Sequence, residues 1–336
     1  MKKSLLPPRR LWMAAALMIT LSSATSPAWG AGGGESSALW REAINGNKDA
    51  VKAILEKGEN IDEPSRTGMT PLMWAIQDEQ KKLIQFLVDK GANVNARQLG
   101  SGCSPIIIAA DWIQPDTVDL LIQKGAEVNY QASSGWTALL KIARVVPKDA
   151  GEADRQLKVI KSLLAHGAKV DLASGKGITA LMYAAKSGNT AVVSLLLEHK
   201  ASLEIQDKEG LTPLMWAITS GQERTAKLLL SKGASVDKKT PMGSTALMLA
   251  AERGQTEMAS LLLDQKADIH AKDEDGMTAL MFAAKKGHLS TTELLLARNA
   301  RVNDLNNKGS TPRQLAVQNQ HEDVENLLRE AGGRCY

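Results

Sequence analysis

The sequence predicts an all-α solenoid: helical hairpins stacked one on the next, with β-turn or hairpin tips between them. Three observations predict it. A Gly-x-(Thr/Ser)-(Pro/Ala) unit starts at Gly68, Gly102, Gly135, Gly177, Gly210, Gly243, Gly276 and Gly309, in steps of 34, 33, 42, 33, 33, 33 and 33 residues. A second unit, Leu-Leu-x-x-Gly-Ala or a close variant, follows each time, as at 87–92, 163–168 and 229–234. Together the copies consume residues 37–330 of 336. A fixed period of roughly 20–50 residues marks an array in which each copy buries its apolar face against its neighbours.

Residues 207–237 show how one unit is built. Gly210 sits in a turn that needs positive φ. Thr212 is placed to cap a helix, and Pro213 takes its first position, where a missing N–H costs nothing. Leu214, Ala217 and Ile218 then share one helical face. Gly221 ends that helix, and Ala226, Leu229 and Leu230 form the buried stripe of a second. Gly233 closes it in the left-handed conformation. The ends of the array differ in the way caps should. Residues 37–65 keep the second-helix pattern (Val51, Leu55, Gly58) but lack a Thr-Pro-Leu start. The final unit replaces the usual Leu-Met pair by Arg313-Gln314, and its outer helix opens Gln320-His321-Glu322-Asp323. Polar outer faces suit terminal units.

This pattern resembles the ankyrin repeat family, in about nine units including both caps. The family's Thr-Pro-Leu-His motif usually ends in His. Here that position holds Met73, Ile107, Leu140, Met182, Met215, Met248, Met281 and Gln314. The polar link made by His between neighbouring turns should therefore be absent and apolar packing should replace it. The resemblance, to bacterial exported members in particular, implies a non-enzymatic scaffold that binds another protein and regulates or protects it. The competing reading is a secreted effector that binds a host or competitor protein.

Export rests on residues 1–30. Lys2, Lys3, Arg9 and Arg10 form a basic start, and residues 11–21 are a short apolar core. Small residues then lead to Ala28-Trp29-Gly30, a cleavage site before Ala31. The core is half the roughly 20 residues a spanning helix needs. The flanks of Arg9-Arg10 match twin-arginine export poorly, so ordinary secretion is expected. Residues 31–36 read as a linker and 331–336 as a flexible tail. The expected compartment is the periplasm or the exterior, with no membrane insertion after cleavage. The chain carries 41 Lys+Arg against 37 Asp+Glu. The leader holds four of those cations and no acid, so the remainder is neutral, which argues against nucleic acid as a partner.

No Gly-x-Ser-x-Gly elbow, phosphate loop or His-Glu-x-x-His motif occurs, and no cofactor is expected. The five methionines at the motif's fourth position suit Cu(I) chemically. Stacked helices stand roughly 8–10 Å apart, too far for two thioethers to share an ion easily. His166 and His199 occupy equivalent turns without a neighbouring carboxylate or thiol at ligand spacing. Packing and solvation explain both sets, so no metal site is expected.

The partner is expected on the concave face that such arrays form from tips and inner helices. The candidate contacts are Met69, Trp112, Trp136, Arg144, Ile178 and Leu211. Trp112, Trp136 and Arg144 have the aromatic-plus-Arg composition of an interface hot spot. The nine-residue insertion lies beside them, within 144–156, and is expected as a surface loop on that face. Trp74 and Trp216 share a column with the apolar Ile108, Tyr183, Leu249, Phe282 and Leu315, and read as core or half-core.

Cys103 and Cys335 lie six units apart, about 60 Å at roughly 10 Å per layer, far beyond the ~7 Å a disulfide tolerates. Cys335 in the tail is instead positioned to link two chains as a disulfide-bonded dimer. N-terminal sequencing of the exported chain should read from Ala31; an intact Met1 in a membrane fraction would contradict the leader reading.

Overall fold

The structure is a computed structural model that describes residues 38–335. The expected leader and linker lie outside the described residues. Among the described residues are eighteen α-helices and no strand. They fall in nine consecutive pairs: α1 Ala38–Asn45 and α2 Lys48–Glu56; α3 Pro71–Gln77 and α4 Lys81–Asp89; α5 Pro105–Asp111 and α6 Pro115–Gln123; α7 Ala138–Arg144 and α8 Ala150–Ala165; α9 Ala180–Ser187 and α10 Thr190–Glu198; α11 Pro213–Thr219 and α12 Glu223–Ser231; α13 Ala246–Glu252 and α14 Thr256–Asp264; α15 Ala279–Lys286 and α16 Leu289–Ala297; α17 Pro312–Gln318 and α18 Glu322–Glu330. Each inner, odd-numbered helix packs on its own outer helix and on the inner helix of the next pair.

The inner helices start where the repeat motif says they should. Thr70, Thr137, Thr179, Thr212, Thr245, Thr278 and Thr311 each accept the backbone N–H three residues on, at 3.1–3.4 Å. Such a cap stabilises its helix by about 1 kcal/mol. Ser104 stands in the same place without making that bond. Pro occupies the first turn of α3, α5, α11 and α17. Gly210, at φ +82°, shows why the preceding turn wants glycine. A Cβ there would lie 2.1 Å from Pro241 Cδ of the next unit.

Met73, Met182, Met215, Met248 and Met281 are all buried core residues. Polar links between units run through other side chains. Gln80, Gln114 and Gln255, at the starts of their outer helices, donate to the carbonyls of Ile44, Ile76 and Ile218 in the preceding unit, at 2.6–2.9 Å. His288 and His321 take the same position and reach the Glu252 and Lys285 carbonyls at 2.9 and 3.1 Å. Near the tips, side-chain oxygens of Asp62, Asn95, Asn129, Asp171, Glu204, Asp237 and Asn303 accept backbone N–H groups one unit on. Backbone bonds also join successive tips, from Ser133 to Ser101, Lys208 to Lys176, Glu274 to Met242 and Asn307 to Asp275. Pro241 has no N–H to offer at the equivalent place. Gln206 spans that boundary, donating to the Gly210 and Lys239 carbonyls, as Gln131 does to the Gly135 and Ala173 carbonyls.

Two expectations are corrected. The insertion is mostly helix rather than loop. It extends α8 to 16 residues where the other outer helices from α2 onward have nine. Asp149 caps the helix by accepting from Glu152 N, and Glu152 accepts from Lys148 N. Only 145–149 remain irregular. Gln156 keeps the repeat register inside the lengthened helix: it is fully buried, donates to the Ile142 and Val145 carbonyls at 2.8 and 2.7 Å, and accepts from Asn189. The C-terminal segment is tied down rather than flexible. Thr311 Oγ1 donates to the Arg334 carbonyl, Arg334 N to Asn303 Oδ1, Asn303 Nδ2 to the Gly332 carbonyl and Gly333 N to Leu328 O. Cys103 is a half-buried free thiol and Cys335 an exposed one. Nothing in the structure supports a disulfide-linked dimer.

Gln156→Leu should strand two buried carbonyls and the Asn189 amide, lowering stability by about 2–4 kcal/mol. Gln222→Leu, which gives up one bond to the Ser220 carbonyl, should cost under about 1 kcal/mol. Paired denaturant curves check the difference; equal midpoints would contradict it.

Candidate partner-binding face

The inner-helix side draws its surface from three positions per unit: the residue after the turn glycine where it is not buried, the fourth of the helix, and the seventh. In the fourth to sixth pairs these positions hold Trp136, Lys141 and Arg144, then Tyr183 and Lys186, then Leu211 and Trp216. Trp136 reaches across the unit boundary and stacks on Tyr183, with ring centroids 5.4 Å apart and planes 22° from parallel. Lys141 Nζ stands 5.0 Å and Arg144 Cζ 5.4 Å from the Trp136 ring centroid. Both cations also bond Asp111 of the preceding unit, at 3.2 and 3.4 Å. Lys186 Nζ lies 4.9 Å over Trp216. The Trp216 indole donates to Asp207 Oδ2 at 2.9 Å, and the same carboxylate accepts the N–H groups of Glu209 and Leu211.

A cation over an indole face is held by the ring quadrupole and keeps its charge available to solvent. Burial pushes the Tyr183 phenol above its ordinary value, while a hydrogen bond with Ser174 and the Arg144 charge pull it back. The arrangement offers a flat aromatic floor edged by exposed positive charge. That is recognition chemistry. Among the described residues, no group of three or more His, Cys, Asp or Glu side chains is placed to hold an ion. His166 and His199 sit exposed at the ends of α8 and α10.

The structure brings Trp136 and Arg144 together, and Leu211 lies half-buried two units along. Met69 and Ile178 are corrected: they are only 5% and 8% exposed and belong to the interior. Both lead straight into a capping threonine and are covered there, whereas Leu211 at the same position stays half-buried. Trp112 follows the last residue of α5, half-buried against the core, and no ring or cation contact joins it to Trp136. Sequence pattern alone misses Lys141. It occupies the column of Trp74 and Trp216 in its own unit, where the apolar members draw attention away from the one charge.

A family model described as "Ankyrin repeats" matches this chain in three copies, over residues 26–98, 149–240 and 247–335, about three-quarters of its length. The chain belongs to the ankyrin repeat family. The ankyrin array is 35% identical over 166 residues to the ankyrin repeat, SAM and basic leucine zipper domain-containing protein 1 of Mus musculus, 48% of this chain and 26% of that protein. It is 42% identical over 78 residues to M-phase phosphoprotein 8 of Rattus norvegicus, 22% of this chain and 9% of that protein. It is 38% identical over 82 residues to the E3 ubiquitin-protein ligase KEG of Arabidopsis thaliana, 24% of this chain and 5% of that protein. The array thus spans about a quarter or less of these relatives, all of them eukaryotic. No described helix is long and apolar enough to cross a membrane.

An acid whose folded value is raised contributes stability that is complete below its unfolded value, near pH 10, and lost as pH rises through the folded one. Ultraviolet titration of the three tyrosines should show a late phenolate step above about pH 10 that Tyr183→Phe removes. A wild-type curve with no late step would contradict the raised phenol.

Proposed function

We propose that the ankyrin array is a non-enzymatic scaffold, exported to the periplasm or exterior, that binds another protein on its inner-helix face and regulates or protects it. The observation that carries this reading is the Trp136–Tyr183 stack with Lys141, Arg144 and Lys186 gathered around it and Trp216. Ankyrin repeats generally bind proteins, and aromatic and Arg side chains on such a surface are the residue types that dominate interface energies. The leader pattern of residues 1–30 supports export. The outer-helix side differs: its cations stand in simple exposed pairs such as Lys81–Asp116, Lys124–Asp89 and Arg298–Asp264.

A photo-crosslinking residue at Lys186 should capture a protein from exporting cells, and the same residue at Gln85 on outer helix α4 should not. Equal capture from both positions would contradict the reading. Against the captured partner, Trp136→Ala and Arg144→Ala should each weaken binding by about 1–4 kcal/mol, with helicity retained. Ile178→Ala should leave affinity unchanged and lower stability.

A further inference from the structure

We propose that the face across α7, α9 and α11 takes an extended acidic protein segment, with carboxylates set three residues apart and an apolar side chain between them. This rests on the scaffold reading and names the chemistry of its partner.

The exposed charge here is positive because the acids are already committed. The Asp111 side chain is 16% exposed and held between Lys141 and Arg144. Asp207 is 7% exposed, and its carboxylate bonds the Trp216 indole and two turn N–H groups. Arg144, by contrast, is 49% exposed. Lys186 is exposed, and no acidic side chain pairs with it among the described residues. The same column continues with Thr219, the half-buried Glu252 and the exposed Lys285; Arg253 and Lys286 are exposed one residue further on, and Lys286 pairs with Glu252 at 3.5 Å.

Spacing supplies the rest. Arg144 and Lys186 are the seventh residues of successive inner helices, and stacked helices stand roughly 8–10 Å apart. A segment in the extended polyproline II conformation advances about 3.1 Å per residue with three residues per turn, so carboxylates three positions apart share one face about 9 Å apart and meet both cations. The Trp136–Tyr183 stack joins the same two units, half-buried, a surface for an aliphatic or aromatic side chain. A basic partner would meet two exposed like charges. A neutral one would leave both cations desolvated without a counter-charge.

The test uses the full chain and a labelled synthetic peptide of about twelve residues, with Asp at every third position and Leu between. A Lys-for-Asp peptide and an oligothymidylate of similar length serve as comparators. The acidic peptide should bind at least tenfold more tightly than either. Raising salt from about 50 to about 300 mM should weaken it several-fold. Arg144→Glu with Lys186→Glu should cost at least tenfold, and Lys186→Gln alone a few-fold with an unchanged circular dichroism spectrum; Lys308→Glu, away from the patch, should change nothing. Equal binding of acidic and basic peptides, tighter binding of the oligonucleotide, or indifference to the charge reversals would overturn the proposal. If the acidic peptide fails while Lys186 still cross-links a protein, the acidic chemistry is wrong and the scaffold stands. If neither occurs, both fall.

Discussion

A single pair of helices in this protein cannot cover its own apolar side, so everything depends on how closely one inner helix approaches the next. That approach is set by alanine. Ala75, Ala109, Ala184, Ala217, Ala250, Ala283 and Ala316 fill one column of the inner helices, and all have no exposed surface. The absence of a longer side chain lets neighbouring helices close to contact. The leucines and methionines beside them then interlock with the outer helices. Apart from Glu42 in the N-terminal α1, only α7 departs, with Ile142 in the alanine column. Bulk at that boundary coincides with the aromatic stack, the charged Lys141 and the lengthened α8.

Close stacking brings backbone carbonyls of one unit near the next, and these need partners. The start of each outer helix except the lengthened α8 supplies a Gln, Asn or His; five of them bond carbonyls of the preceding unit, and Asn189 bonds the Gln156 side chain there. Asp, Asn and Glu near the tips serve the backbone amides of the following unit. These links set direction and register, whereas burial supplies the driving force. Replacing the family's usual His by Met is tolerated because the polar work is done one position set away, at the outer-helix starts.

The architecture was legible because its period is nearly constant and its punctuation is physical. Gly210, Thr212, Pro213, Gly221 and Gly233 each occupy the local geometry their chemistry favours. What was not legible depends on neighbours. The burial of Met69 and Ile178 follows from the packing of the adjacent unit. The segment 150–156 lacks a repeat signature, and only the buried bonds of Gln156 show that it extends a helix. The last residues read as loose because they are small and polar, yet Thr311 and Asn303 hold them. Lys141 was hidden because its role is set by Asp111, 30 residues earlier, and by Trp136.

The central claim is that binding occurs on the inner-helix face around Trp136. Hydrogen–deuterium exchange on the full chain, alone and with the protein captured from exporting cells, tests it most directly. Slower exchange in peptides covering 133–145, 174–188 and 207–220, with outer helices α4, α10 and α12 unchanged, is the expected pattern. Protection confined to the outer helices, with those three stretches unaffected, would contradict it.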